Sequence, residues 1–387
     1  MAATPTTGPS GTGARDARFL RRAVALGALG RRRTAPNPWV GCVLVAADGE
    51  TVVGEGTTEP PGSRHAEIVA LAQAGDRARG GTAYVTLEPC AHHGRTPPCA
   101  DALVVAGVAR VVVALTDPDP LVAGRGVDDL RTRGLDVHLG PEEVAAEARR
   151  GLAPYLHHRR TGRALCLLKT AVSLDGRTAA ADGSSRWITG EAARADAHGL
   201  RADSQAIVVG AGTALADRPA LTARDASGPA VERAPLRVLL DGRGRVPADG
   251  PLFDVDLAPT LVVTTEHAPS TAVDAWRAAG AKVEVVAPDR GGDGVDLTAV
   301  LELLGRDGVL QALVEGGATV HGALLAAGLA DRIVAYVGAT ALGPGGRPAF
   351  DHPGPATIAD APRFVLTEVT RLGGDVRLDY DVRRERE

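Results

Sequence analysis

His65, Cys90 and Cys99 constrain this chain more than any other feature, because together they form a metal-donor set only if the fold brings three separate points of the chain to one place. Glu67 follows the histidine by two residues, and Pro89 stands directly before the first cysteine. One imidazole and two thiolates fill three tetrahedral positions of a Zn²⁺ ion and leave the fourth for water, the pattern of a catalytic rather than a closed structural site. Bound zinc acidifies that water. Glu67 is placed to take the water proton and pass it to a leaving group. Pro89 suggests a turn that opens a helix at Cys90, whose dipole would favour a thiolate. Singly, each of the three is more often a core thiol or a helix-start histidine. Their conjunction with an acid at the right offset carries the reading. Cys42 and Cys166 lie inside apolar runs and read as core.

Around this set the chain alternates helical and strand-like segments. Residues 16–30 carry a helical apolar face, 40–46 and 52–56 read as a strand and its hairpin partner, and 65–75 as a helix. A strand at 83–87, a loop at 89–98, a helix at 99–107 and a strand at 111–115 follow. A charged helix at 142–155 leads to a polar stretch at 157–163, where a domain boundary is expected. The alternation then restarts, with strands at 165–172, 206–209, 237–240, 260–264, 282–286, 312–314 and 333–337. Short apolar strands alternating with helices imply layered α/β domains. The halves share no motif, so two different domains are expected: a disordered tail at 1–14, a first domain at 15–157 and a second at 158–387.

Composition narrows the function classes. A formal charge of −4 and an aromatic content of 3% provide neither the basic excess nor the stacking platforms of a nucleic-acid binder. Positive charge is almost all arginine, with lysine only at Lys169 and Lys282. No apolar run has the length of a membrane span, and the Thr/Gly/Pro-rich start has no secretory core. Four cysteines without such a signal do not make a disulfide framework. A cytoplasmic protein is expected.

An H-x-E motif followed by P-C-x-x-C marks the zinc nucleobase deaminases. Here eight residues separate Cys90 from Cys99. With that longer spacing, the run from Thr86-Leu87-Glu88-Pro89-Cys90 to Pro98-Cys99 resembles the bifunctional riboflavin-biosynthesis deaminase/reductase family. Pro36-Asn37-Pro38, Val40-Gly41, the segment 117–126 and Ser173-Leu174-Asp175-Gly176-Arg177 extend the likeness, in order, through nearly the whole chain. The resemblance implies a cytidine-deaminase-like three-layer domain followed by a dihydrofolate-reductase-like domain, with zinc and NADPH as cofactors and small phosphoribosyl pyrimidines as substrates. It implies a homo-oligomer as well. By it, His65, Cys90 and Cys99 bind zinc and Glu67 shuttles the proton. Asn37 and the loop carrying Asp117 and Asp119 would face the substrate, with His92, His93 and Arg95 as further candidates. Asp119 stands where the family usually has Asn, and Ala35 where a polar residue is common.

The second half says less by itself. Gly210-Ala211-Gly212 follows a strand, but Leu215 occupies the third glycine position of a dinucleotide fingerprint, so that match fails. Glu315-Gly316-Gly317 links a strand to a helix, and backbone amides at such a helix start can cradle phosphate. By the resemblance, Ala171, Trp187, Thr213, Asp217, Gly242 and the stretch Gly317, Ala318, Thr319, Val320, His321, Gly322 and Ala323 contact NADPH. Ser185, Arg201, Leu221, Arg224 and Glu315 hold the substrate. Lys169 and Asp175 occupy the matching strand and its exit. Plain core packing is the lesser alternative for Trp187. Gly242 replaces a family serine, leaving Arg243 or Arg245 to meet a 2′-phosphate, and Arg218 replaces an aspartate.

The function expected is hydrolytic deamination of 2,5-diamino-6-(5-phosphoribosylamino)pyrimidin-4-one, then NADPH reduction of the ribosyl side chain to ribityl. Two rivals stand beside it: a nucleoside or nucleic-acid deaminase with an appended domain, and a structural zinc protein whose fourth ligand is His92 or His93.

Overall fold

The computed structural model describes residues 11–91, 97–120, 122–224, 233–352 and 354–382. The chain divides into two compact units, residues 1–162 and 163–387.

The first unit contains α1 (Gly11–Ala28), β1 (Gly41–Val45), β2 (Val52–Thr57), α2 (Ala66–Ala74), β3 (Thr82–Val85) and α3 (Cys99–Val105). It continues with β4 (Arg110–Val113), α4 (Arg125–Thr132), β5 (Asp136–Leu139) and α5 (Glu142–Thr161). The sheet order is β2-β1-β3-β4-β5; β1 runs antiparallel to both its neighbours, and β3, β4 and β5 run parallel. Successive residues of β1 face opposite helices. A side chain at Gly41 would collide with the Ala23 carbonyl of α1. Cys42, the next residue, pairs with Gly56, where a side chain would collide with the Ala66 carbonyl of α2. Glycine at these points lets helix backbones close on both sheet faces, giving three layers. Asp16 ties α1 to the sheet: it accepts two bonds from Arg110 (2.9 and 2.8 Å) and one from the Tyr84 hydroxyl (3.0 Å). Burial would raise this carboxyl's pKa, but those donors outweigh it and the net direction is downward.

Three expectations shift here. The tail expected through residue 14 ends earlier, since α1 already begins at Gly11; residues 1–10 lie outside the described part. The boundary expected after 157 falls inside α5, which runs on to Thr161. It stops where Gly162 takes φ 71° and returns its N–H to the His158 carbonyl at 2.8 Å, a left-handed cap that favours glycine. Helix α4 and strand β5 were absent from the sequence reading.

The second unit contains β6 (Leu165–Ser173), β7 (Arg177–Ala179), α6 (Glu191–Ala202), β8 (Ala206–Gly210), α7 (Ala211–Asp217), β9 (Leu236–Leu240), β10 (Thr260–Thr264) and α8 (Ser270–Ala278). Next come β11 (Lys282–Val285), α9 (Leu297–Arg306), β12 (Gln311–Val314), α10 (Ala318–Ala326), β13 (Arg332–Gly338), β14 (Arg347–Pro348), β15 (Phe364–Leu372) and β16 (Asp375–Val382). Its main sheet is ordered β11-β10-β9-β8-β12-β6-β13-β16-β15. Strands from β11 to β13 run parallel, and β16 and β15 close the edge antiparallel. The inner parallel strands β8, β10 and β12 are buried on both faces, while β11 is an exposed edge. Ala206, Val208 and Cys166 join one core with α9 and α10, while Ile207, Val209 and Leu239 join another with Trp276 and Phe253. The β15–β16 hairpin and the small β7–β14 pair were not foreseen. This is the dihydrofolate-reductase-like half of the expected architecture. Among the described residues no helix is long and apolar enough to cross a membrane.

Gly41→Ala is expected to destabilise the first unit by about 2 kcal/mol, through overpacking against α1. Urea unfolding followed by Trp39 fluorescence checks this, and an unchanged midpoint would contradict the close approach of α1.

Candidate active site

In the first unit, β3 exits towards Cys90, α2 begins directly after His65, and α3 begins at Cys99. His65 Nδ1 lies 3.7 Å from Cys90 Sγ and 3.4 Å from Cys99 Sγ, and all three donor atoms fall within 4.8 Å of one another. The helix expected at Cys90 does not form there. Cys90 stays in the loop, and the amide that reaches its sulfur is the first of α3, Cys99 N–H, at 3.4 Å. A helix start thus supports Cys90, from a different helix than the sequence suggested. Hydrogen bonds from the Cys99 thiol and the His65 ring pull the Cys90 sulfur far below the ordinary thiol range, while Cys99 is pushed up by sharing that proton and by burial. A sulfur whose proton is loosened in this way, beside a second sulfur and an imidazole, suits Zn²⁺. Glu67, in the first turn of α2, is 4% exposed. Burial, and then the negative Cys90, raise its pKa to about 7, so it can both accept and release a proton near neutrality. Cys42 and Cys166 are fully buried, as expected of core thiols. His92, His93 and Arg95 lie outside the described residues.

Asn37 is half-buried in the turn before β1, with its N–H on the Thr34 carbonyl at 2.8 Å. Because β1 and β3 are antiparallel, that turn lies at the sheet edge where β3 ends. Asp117 follows β4 at the same edge. It is 6% exposed, accepts the Tyr155 hydroxyl at 2.9 Å and takes the Asp119 amide at 2.9 Å. Asp119 in turn pairs with Arg159 at 3.3 Å. Sequence reasoning missed Tyr155, Arg159 and above all Glu88. The signal for Glu88 was an acid set between an apolar strand and Pro89-Cys90.

In the second unit the sites cluster where β6, β8 and β12 end. A side chain at Gly316 would crowd the Gly210 amide, so the loops after β8 and β12 touch. The Gly317 N–H donates to the Thr213 hydroxyl at 2.8 Å. Gly317 caps α10, putting the Ala318 and Thr319 amides in its first turn. His321, Gly322 and Leu221 face inward instead: the His321 ring meets the Val314 carbonyl at 3.1 Å, and Leu221 joins the core. Ala171 is half-buried in β6, opposite Tyr336. Trp187 is 69% exposed, so core packing is excluded, and the Arg194 guanidinium lies 4.2 Å from its ring centroid. Ser185 is half-buried, whereas Asp217 and Arg224 are exposed.

Arg201 and Glu315 form a bidentate pair (2.6 and 2.7 Å), with Arg201 also donating to the Thr222 carbonyl at 3.1 Å. Burial would raise the Glu315 pKa, but Arg201 and then Lys169 outweigh it and hold it at about 2. Asp175 is likewise held at about 2, by the Ser173 hydroxyl and the Leu342 and Gly343 amides. It clasps a loop and carries no proton to donate at neutral pH. Gly242 packs against Gly294, leaving a side chain there about as close as 3.3 Å to backbone, and Arg243 pairs with Asp293.

These features define a class: a zinc deaminase unit joined to a dihydrofolate-reductase-like unit. The "Cytidine and deoxycytidylate deaminase zinc-binding region" matches residues 14–115, and the "RibD C-terminal domain" matches residues 165–378. The chain is 45% identical over 330 residues to the riboflavin biosynthesis protein RibD of Chlamydia trachomatis, covering 85% of this chain and 86% of that one. To the Escherichia coli RibD it is 42% identical over 374 residues, covering 94% and 98%. Among solved structures, Acinetobacter baumannii RibD superposes with a TM-score of 0.84 at 39% identity, covering 96% of this chain and 99% of that one. The Thermotoga maritima diaminohydroxyphosphoribosylaminopyrimidine deaminase/5-amino-6-(5-phosphoribosylamino)uracil reductase gives 0.82 at 31% identity, with the same coverage. The chain belongs to the RibD family of bifunctional riboflavin-biosynthesis enzymes, whose cofactors are zinc and NADPH. The nucleic-acid deaminase and structural-zinc alternatives are not favoured.

Replacing Glu315 by Gln strands the Arg201 charge and is expected to cost about 3 kcal/mol of second-unit stability at neutral pH. Since the Glu315 pKa is depressed, the wild-type advantage is full above the ordinary glutamate range and is lost as pH falls towards about 2. Thermal melts of both proteins across that range measure it. A constant difference in melting temperature down to the lowest pH would contradict the pairing.

Proposed function

We propose that the first unit hydrolyses the amino group of 2,5-diamino-6-(5-phosphoribosylamino)pyrimidin-4-one, and that the second reduces the ribosyl side chain of the product to ribityl. The observation that carries the reading is the convergence of His65, Cys90 and Cys99, with a buried Glu67 in the first turn of the helix that His65 caps. His65, Cys90 and Cys99 hold zinc, which supplies the Lewis acidity that activates water. Glu67 takes a proton from the attacking water and returns it to the departing nitrogen, so that water plus the aminopyrimidine give the oxo-pyrimidine plus ammonia. Asn37 and Asp117 border the substrate, and the Arg159 pairing removes much of the repulsion that Asp119 would otherwise exert on a phosphate.

In the second unit NADPH supplies the hydride. Thr213, Gly317, Ala318 and Thr319 form the amide-rich phosphate cradle at the start of α10, with Ala171, Trp187, Asp217, Gly242, Val320 and Ala323 completing the cofactor contacts. His321, Gly322 and Leu221 shape these walls from the interior. Ser185, Arg201, Arg224 and Glu315 hold the substrate, the arginines meeting its phosphate or ribose hydroxyls. The protein acts in the cytoplasm as a homo-oligomer.

Purified protein is given the diaminopyrimidine phosphate while ammonia release and NADPH oxidation are followed together. NADPH loss that depends on prior deamination is expected. Glu67→Gln should abolish ammonia release while zinc content and reduction of the deaminated intermediate persist. Deamination surviving that substitution would remove the proton-shuttle role.

A further inference from the structure

The Glu88 carboxylate receives four backbone amides from one loop. Its Oε2 accepts the N–H groups of Asp117 (3.1 Å) and Gly124 (3.0 Å), and its Oε1 those of Gly126 (2.8 Å) and Val127 (3.1 Å). The side chain is 4% exposed, and its own amide is fixed to the Leu115 carbonyl at 2.8 Å. Gly126 and Val127 are in the first turn of α4, so Glu88 caps that helix from another part of the chain. The loop also packs directly on the cysteine segment: a side chain at Gly126 would collide with the Pro89 carbonyl. Two residues beyond Glu88 stands the ligand Cys90. One carboxylate therefore joins the metal-binding segment to the loop bearing Asp117 and Asp119. No donor from the cysteines or from Glu67 reaches it.

We propose that Glu88 is a positioning residue for deamination, setting Asp117 and the start of α4 against the metal segment so that substrate is bound in register with the reacting centre. This rests on the deaminase reading of the first unit. Carboxylate geometry matters because four donors need both oxygens, each accepting twice. The amide of glutamine offers one such oxygen and turns an NH₂ group towards two N–H donors. The loop must then move, while the three metal donors and Glu67, none of which is hydrogen-bonded to the Glu88 side chain among the described residues, keep their own bonds.

Zinc-loaded Glu88→Gln and Glu88→Asp proteins are compared with wild type for zinc stoichiometry, for KM and kcat of ammonia release, and for NADPH-dependent reduction of the deaminated intermediate. The expected result for Glu88→Gln is a KM raised about tenfold or more, with kcat within about threefold and with zinc content and reduction unchanged. Glu88→Asp keeps both oxygens on a shorter stem and is expected to recover part of the KM. Unchanged KM with a lowered melting temperature would make Glu88 a structural cap only, and zinc loss would mean that it acts through Cys90; either overturns the proposal. If the Gln protein does not fold, the Asp protein must show the same KM-against-kcat split, and an unchanged KM there also overturns it. Ammonia release by wild type, measured alongside, supports the deaminase reading whichever way the variants fall.

Discussion

Parallel strands cannot be joined by tight turns, so each returns through a crossover, and the segments leaving their C-terminal ends collect along one edge of the sheet. Both units build their chemistry on that constraint. In the first, β3 delivers Glu88 and Cys90, and its parallel neighbour β4 delivers Asp117 and Asp119. In the second, β6, β12 and β8 deliver Asp175, Glu315 to Gly317, and Gly210 to Thr213. Residues far apart in sequence meet because their strands end at the same level. Loss of strand register would scatter them.

Loops gathered at an edge leave many backbone amides without ladder partners, and burying such amides unpaired is costly. The chain answers repeatedly with a single carboxylate. Glu88 takes four amides, Asp175 takes two and a hydroxyl, and Asp241 takes the Val246 amide at 2.7 Å. Glu315 does the corresponding work for a side chain, neutralising Arg201. Glu88, Asp175 and Asp241 are thus framework. Glu67 differs in its surroundings: burial and the negative Cys90 raise its pKa more than His65 lowers it, whereas Arg201 lowers that of Glu315 and the Ser173 hydroxyl and two loop amides lower that of Asp175.

The metal set was legible in the sequence because His, Cys and Glu at such offsets have few other uses, and the parallel strands because they are short runs of Val, Leu and Ile. Less legible were features that depend on distant partners. Glu88 looks like any acid until the amides of Asp117, Gly124, Gly126 and Val127 are folded onto it. Strands β15 and β16 carry charged residues at many positions and lack the apolar density of their parallel neighbours. Helix α4, with charges at Arg125, Asp128, Asp129 and Arg131, shows too little apolar face to be seen locally. Helix α5 outran its expected end because the stretch after Tyr155 is polar and reads as a linker, whereas the stop comes from the positive φ of Gly162. The inward turn of His321 follows from the helical phase of α10, which a motif match cannot supply.

The departures from the family pattern carry the same lesson about compensation. Asp119 introduces a negative charge, and Arg159, set one turn after Tyr155 on α5, meets it while stacking 5.0 Å from the Tyr155 ring centroid. Arg218 ends α7 in a left-handed conformation (φ 43°) and reaches Asp249 at 2.8 Å, covering the turn at Gly250. Its side chain therefore works on the surface of its own unit, beside Asp217. At Gly242 the missing side chain is matched by the close backbone of Gly294, and the neighbouring Arg243 is tied to Asp293. A 2′-phosphate recruiting Arg243 must compete with that aspartate. Both groups of the pair are well exposed, so solvent screens their attraction, and a phosphate of higher charge has the electrostatic advantage.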